Sequence, residues 1–385
     1  MSGHEEDAAT RGHDADISMS GGTAAGPPVS LEPPYDAWDR SGMGRLIEGV
    51  PGQIRAALAG TAPWSPPVRP PALLAVGAMG GSAIAADLTA ALYRDRLPQP
   101  LLVVRDYAFP ACVGPGSLAL LSSYSGNTEE TLALAADARA RSIPWRALTT
   151  GGPLAEAALR DGAELRGLPG GMPPRAATYA SWVAMTRLVA ALGWIEDPDH
   201  AWGEAATALD ARVAEWGFGC PEATNPAKAL ARGVGERMVF LLAAQRLEPV
   251  GTRWRNQVNE NAKLLAHSAV VPELNHNEVV GWEKPGNIAS RVAVIVLRDG
   301  FESAPHEARL ALTAEYLRRQ GVPVFEPDPP AGGPLARLTS LVLLGDYVSF
   351  YLAIQNGVDP TPIRSLDEFK RRLSEWWGAR AGKPA

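Results

Sequence analysis

Two turns rich in glycine and hydroxyl groups carry the first chemical signal in the sequence. VGAMGGSAIAADL sets Gly77, Gly80, Gly81 and Ser82 between an apolar run and an Ala-rich helical pattern. Glycine lets the backbone come close to a ligand. The first turn of a helix offers unpaired N–H groups and the positive end of its dipole, which suit an anion. The turn has neither G-x-G-x-x-G nor a Gly-Lys-Ser/Thr ending, so it is neither the dinucleotide fingerprint nor the P-loop. Tight strand–helix packing would ask for the same glycines. LSSYSGNTEETL says more, because Ser123, Ser125 and Thr128 crowd one loop ahead of a helical pattern. Thr128 also suits the capping position of that helix, and turns favour such residues on their own account. Yet both segments follow strand-like runs, and open α/β sheets bind ligands at the carboxyl ends of their strands. Hydroxyls and amides rather than lysines predict a site for one phosphate monoester.

The elements that must position these turns alternate regularly. ALLAVG (72–77), PLLVVR (100–105), SLALLSSYS (117–125), PWRALTT (144–150) and AELRGL (163–168) read as strands. SAIAADLTAALY, NTEETLALAADARAR and a long segment over about 176–193 read as helices. The second half repeats the alternation with strands RMVFLLA (237–243), AVVPEL (269–274), RVAVIVLR (291–298) and VPVFEP. Helices are expected over about 253–266, in ESAPHEARLALTAEYLRRQG, in LARLTSLVLLGDYVSFYLAIQNG and in SLDEFKRRLSEWW. Strands alternating with helices imply a parallel sheet covered on both faces. The chain therefore reads as an α/β protein of two tandem units, 34–196 and 221–378, joined by a weakly patterned connection. Residues 1–33 read as a disordered arm, with His4 and His13 in it. Helical patterning starts near Tyr35, and a Pro-rich linker covers 63–72.

Composition narrows the function classes. Acidic residues outnumber basic ones by 42 to 36, a net charge of −6, which argues against a protein that coats nucleic acid. No apolar run approaches the roughly 20 residues needed to span a bilayer, and the amino terminus lacks an apolar secretory core. A cytoplasmic protein without membrane partners is expected. Two cysteines, Cys112 and Cys220, are too few for a disulfide framework or zinc cluster and are expected in the core.

The two turns, with PPRAA (173–177), NENAK (259–263), PELNHNEVVGW (272–282) and LGDYVSFYLAIQNGVDPTPI (344–363), resemble the sugar isomerase domain family, specifically its bifunctional phosphoglucose/phosphomannose isomerases. The resemblance spans about 40–375. The phosphate turns are shared by all sugar isomerase domains, whereas NENAK with PELNHNEVVGW is specific to the isomerases. Ala83 stands where many members have glycine. The resemblance implies two doubly wound, flavodoxin-like subdomains and interconversion of glucose 6-phosphate or mannose 6-phosphate with fructose 6-phosphate. It also implies no metal or organic cofactor, and an obligate homodimer.

Residue roles follow from the same resemblance. Taken alone, Glu260 reads as a surface glutamate and Arg175 as a surface residue at a helix start. The resemblance makes Glu260 the base that moves a proton between C2 and C1, and Arg175 the fixed positive charge beside the enediolate. His276, in PELNHNE, becomes the ring-opening residue, donated by the neighbouring subunit; imidazole titrates near neutrality and suits that step. His267 is expected at a helix end. Lys370, in LDEFKRRL, matches a lysine that assists ring opening. Thr361, in DPTP, marks the region that admits both C2 epimers. Gly80, Gly81, Ser82, Ser123, Ser125 and Thr128 would hold the phosphate. Two other readings stay open: a non-catalytic sugar-phosphate-binding module, and an isomerase of amino-sugar phosphates.

Overall fold

Strands β1 (Leu74–Ala78), β2 (Leu101–Val104), β3 (Leu118–Ser122), β4 (Trp145–Thr149) and β5 (Glu164–Gly167) form the first sheet of the computed structural model, which describes residues 29–378. They are all parallel, in the order β2-β1-β3-β4-β5. β1 lies between β2 and β3, so the winding direction reverses at the β1/β3 boundary. That is the point where doubly wound sheets open a crevice. The second sheet holds β6 (Met238–Ala244), β7 (Ala266–Val271), β8 (Val292–Leu297) and β9 (Val324–Phe325), again parallel, in the order β7-β6-β8-β9. β1, β3, β4 and β8 are buried along their whole length, as expected of strands covered on both faces.

The largest core cluster draws residues from both sheets and from the helices between them. Trp182 and Trp202 meet edge to face at 5.1 Å between ring centroids. The Trp254 indole N–H donates to the Leu341 carbonyl at 2.8 Å. Gly345 permits that approach, since a Cβ there would lie 2.5 Å from the indole nitrogen. The Trp254 contacts fasten the helix Glu248–Gln257 to the long helix Pro334–Gln355.

Several expectations are corrected. The weakly patterned connection is in fact an 18-residue helix, Asp199–Trp216. Its buried stripe, Trp202, Ala205, Ala206, Leu209 and Trp216, has helical spacing that short alanines obscure. The strand expected at 269–274 is Ala266–Val271; Pro272, which lacks a donor, ends the ladder. Helical structure begins at Met43 rather than near Tyr35, after Gly42 at φ 73. Helix Pro334–Gln355 is long and apolar enough, by length and composition, to cross a membrane, although its most apolar stretch is 94% buried in the protein. Cys112 is exposed and Cys220 half-buried, so neither is a core residue.

Residues 1–28 of the expected arm, with His4 and His13, lie outside the described residues. From residue 29 the chain packs on the second half. Leu31 is fully buried, its N–H donates to Glu222 at 3.2 Å, and Glu32 pairs with Lys228 at 3.0 Å.

Candidate active site

The two hydroxyl-bearing turns leave the carboxyl ends of two adjacent inner strands of the first sheet. Ala78 pairs with Ser122 in the β1/β3 register, so the turns that follow start side by side. Gly80, at φ +50, opens the helix Gly80–Tyr93 without a side-chain cap. Ser82 is buried in its first turn. Thr128 occupies the capping position of the helix Glu129–Ala140, but its hydroxyl does not cap it. It bonds instead to the Ser123 hydroxyl at 2.7 Å. The expectation of a capping threonine is corrected, and among the described residues neither helix start is capped by its N-cap side chain. Ser123 is buried and Ser125 exposed. Gly126 has no alternative: at φ +67, a Cβ would lie 1.8 Å from the Gly151 carbonyl oxygen.

Arg175 sits on a single tight turn, Pro174–Ala177, ahead of the helix Thr178–Ala191. Gly81 brings the first hydroxyl turn against it. A Cβ on Gly81 would stand 2.9 Å from the Thr178 hydroxyl and 3.5 Å from the Arg175 Cα. The second turn is also tied in, through the Met172 N–H that donates to the Tyr124 hydroxyl at 3.0 Å.

Only 5% of Arg175 is exposed. Its Nε donates to Asn261 Oδ1 at 2.9 Å, and its Nη2 donates to the Pro360 and Thr361 carbonyls, both at 2.8 Å. That leaves Nη1, which lies 3.6 Å from Glu260 Oε2. Beneath it, Arg253 Nη2 donates to the Arg175 carbonyl at 2.9 Å and to Asp346 Oδ1 at 2.8 Å. Gln257 adds a bond to the same carboxylate at 2.8 Å. Burial pushes the Asp346 carboxyl above its ordinary range, with Arg253 opposing. Burial pushes the Arg175 guanidinium below its own, with Glu260 opposing and Arg253 adding to the shift.

Glu260 belongs to a widened helical turn, Val258–Ala262, that continues the helix Glu248–Gln257. The expected helix over 253–266 therefore begins earlier and stops at a π turn, a local form found at functional sites. The turn fans out successive side chains. Asn259 Oδ1 accepts from the Ala266 N–H at 3.0 Å. Glu260 faces Arg175 with 35% of its side chain exposed. Asn261 is buried between Arg175 and the Ser349 hydroxyl, to which its Nδ2 donates at 3.0 Å. Lys263 closes the turn at φ +56.

The chain thus assembles Gly80, Gly81, Ser82, Ser123, Ser125, Thr128, Arg175, Glu260 and Thr361 into one connected region. His276 and Lys370 are not part of it. His276 is exposed on the turn Glu273–His276, and no hydrogen bond or ion pair joins it to Arg175 or Glu260 among the described residues. Lys370 is exposed on the helix Arg364–Gly378. Residues Arg364–Leu366 of that helix do line the 700 Å³ groove that Glu260 borders. His267 lies in β7, not at a helix end, with Nε2 3.4 Å from Glu278. Sequence reasoning missed Asn261, Arg253 and Asp346. A signal for Asp346 existed: a single charge inside LVLLGDYVSFYLAI requires a buried partner.

Chemically, the region offers helix-start amides without side-chain caps and a cluster of hydroxyls for an anion, and a half-exposed carboxylate beside a fixed guanidinium. Known proteins resemble this chain in sequence. A family model described as bacterial phospho-glucose isomerase C-terminal SIS domain matches residues 223–373. The bifunctional phosphoglucose/phosphomannose isomerase of Caldicellulosiruptor bescii is 36% identical over 298 residues, covering 77% of this chain and 88% of the relative. Its namesake from Aquifex aeolicus is 29% identical over 302 residues, covering 77% and 89%. In fold alone, a solved glucose-6-phosphate isomerase from Chlamydia trachomatis matches with a TM-score of 0.61 at 13% identity, covering 88% of this chain and 74% of that one.

Proposed function

The chain belongs to the bifunctional phosphoglucose/phosphomannose isomerase family, and from that premise we propose that it interconverts glucose 6-phosphate or mannose 6-phosphate with fructose 6-phosphate without a metal ion. The observation that carries the mechanism is the Glu260–Arg175 pair, built from the two halves of the chain and joined through Gly81 to the hydroxyl turns.

Ser123, Ser125, Thr128 and the helix starts at Gly80 and Glu129 hold the phosphate. The sugar ring opens when a proton moves from the C1 hydroxyl and another reaches the ring oxygen, a step assigned to His276 with help from Lys370. Glu260 then takes the proton from C2 of the aldose. The C–H electrons form the C1=C2 double bond and the carbonyl electrons move onto O1, giving a cis-enediolate. Arg175 stabilises that charge because its guanidinium is fixed on three sides before the substrate arrives. Glu260 returns the proton to C1 as the O2 proton passes to O1, so C2 becomes the carbonyl and O1 the hydroxyl of fructose 6-phosphate. Deprotonation erases the C2 stereocentre, so one enediolate serves both epimers if the chain can rotate about C2–C3. Thr361, whose carbonyl holds Arg175 while its buried hydroxyl has no partner, provides that room.

Among the described residues no bond joins His276 to Glu260 or Arg175 in its own chain, which supports a homodimer in which each subunit lends its histidine to the other. Exposed apolar side chains in neighbouring sequence, Leu265, Val280 and Ile288, favour such an association.

The test is a coupled assay with glucose, mannose and glucosamine 6-phosphates side by side, run with chelator. Turnover of the first two supports the proposal. Binding without product would favour a sensing module, and turnover of the amino sugar alone would favour the third reading.

A further inference from the structure

Lys263 has a role that the hydroxyl turns and the Glu260–Arg175 pair do not explain. It is a non-glycine residue held in the left-handed region, where a side chain costs energy. Its flank is exposed, yet its ammonium is turned onto four backbone carbonyls. Two belong to its own turn, Glu260 at 2.7 Å and Asn261 at 3.4 Å. Two belong to the segment before the last helix, Asp359 at 2.8 Å and Pro360 at 3.2 Å. The Pro360 carbonyl also accepts from Arg175, as does its neighbour Thr361. One ammonium therefore joins the turn that carries the carboxylate to the segment that holds the guanidinium.

We propose that Lys263 is a positioning residue for the isomerisation: it clamps the Glu260 turn to the Asp359–Thr361 segment and so sets the gap between Glu260 and Arg175. This rests on the isomerase reading above. Acidic residues around the clamp do not replace its bonds. Glu260 on its own turn and Asp359 on the facing segment favour the charge, while Arg175 opposes it. Desolvation among the carbonyls is the largest influence and brings the lysine down to about 8. Charge-assisted bonds are the stronger kind, so the clamp holds while Lys263 is protonated and slackens as pH rises through that value. Stability moves the other way. A lysine lowered in the folded state binds its proton more tightly when unfolded, so its deprotonation between about 8 and its ordinary 10.5 does not unfold the protein.

The experiment compares the full-length wild type with Lys263→Met and Lys263→Arg. It reads kcat and KM for fructose 6-phosphate between about pH 6.5 and 9.5, the inhibition constant of inorganic phosphate, Tm, and amide hydrogen exchange at Asp359 and Thr361, which flank Pro360. Lys263→Met is expected to lose about 100-fold in kcat, as a misplaced catalytic pair does, with phosphate inhibition within about twofold of wild type, because the phosphate turns lie on the other sheet. The fall of wild-type kcat above about pH 8 should vanish in Lys263→Met. Lys263→Arg should recover most of kcat and carry its activity to higher pH. Exchange at Asp359 and Thr361 should quicken in Lys263→Met whether or not the chain turns over sugar. A lower Tm with kcat unchanged, or exchange at Asp359 and Thr361 as slow as in wild type, would overturn the clamp. Wild-type inactivity on every hexose phosphate would instead overturn the isomerase reading, and the exchange measurement would still decide the clamp.

Discussion

Replacing Arg175 by lysine keeps the charge and removes the fork that places it. The guanidinium spends Nε on Asn261 and Nη2 on the Pro360 and Thr361 carbonyls, which leaves Nη1 facing Glu260. A lysine ammonium is a single point with three donors and cannot reach these acceptors and the enediolate at once. If it serves the reacting oxygens, one or two buried acceptors lose their donor, at about 1–3 kcal/mol each. If it serves the carbonyls, no charge lies beside the enediolate. Loss of one fixed donor to a developing oxyanion costs roughly 100- to 1,000-fold in kcat. Arg175→Lys should therefore fall by that factor in the fructose-to-glucose direction, lose about 2–4 kcal/mol of folding stability in denaturant titration, and keep phosphate inhibition near the wild-type value. A variant within threefold of wild-type kcat would refute the idea that the fork, rather than the charge, does the positioning.

Other perturbations separate the remaining roles. Ser123→Ala removes the hydroxyl that meets Thr128 at 2.7 Å and should raise KM about tenfold with kcat nearly kept; a purely catalytic loss would contradict the phosphate assignment. Glu260→Gln and His276→Ala, each nearly inactive alone, should regain about a quarter of wild-type activity when refolded as an equal mixture, since half the dimers carry one intact site. A mixture as inactive as its parts would remove the shared-site reading. Thr361→Gln should lower the mannose rate relative to the glucose rate, and an unchanged ratio would clear that residue of any part in epimer choice.

Much of the fold could be read from the sequence because its strands are short apolar runs that alternate with longer helical patterns. β1 and β8 lie within a residue or two of where ALLAVG (72–77) and RVAVIVLR (291–298) place them, and β3 stops at Ser122, three residues short of the end of the run SLALLSSYS (117–125). The helix Asp199–Trp216 escaped because its buried face is partly alanine, which separates weakly from the polar face. The π turn at Val258–Ala262 could not be read, because no residue pattern marks a helix that widens by one residue, and its effect is to bring Glu260 and Asn261 to different nitrogens of the same guanidinium, that of Arg175. The site was legible in parts. The hydroxyl turns show in composition alone, whereas Glu260 and Arg175 stood out only by family resemblance. Alone, each is an ordinary charged residue on a helix or turn, and what distinguishes them is 86 residues of chain folding that puts Asn261 beside Arg175. A separation of 93 residues likewise hid the Arg253–Asp346 support beneath them.

The account turns on Glu260 as the group that carries hydrogen between adjacent carbons. The direct measurement is conversion of fructose 6-phosphate by Glu260→Gln in deuterated water, with product deuterium read by mass spectrometry and substrate affinity by calorimetry. Loss of a general base predicts a fall in kcat of about 100- to 10,000-fold, with deuterium uptake lost in step and fructose 6-phosphate still bound within a few-fold of wild type. Conversion and deuterium uptake near wild-type rates would show that another group moves the proton, and the mechanism proposed here would be wrong.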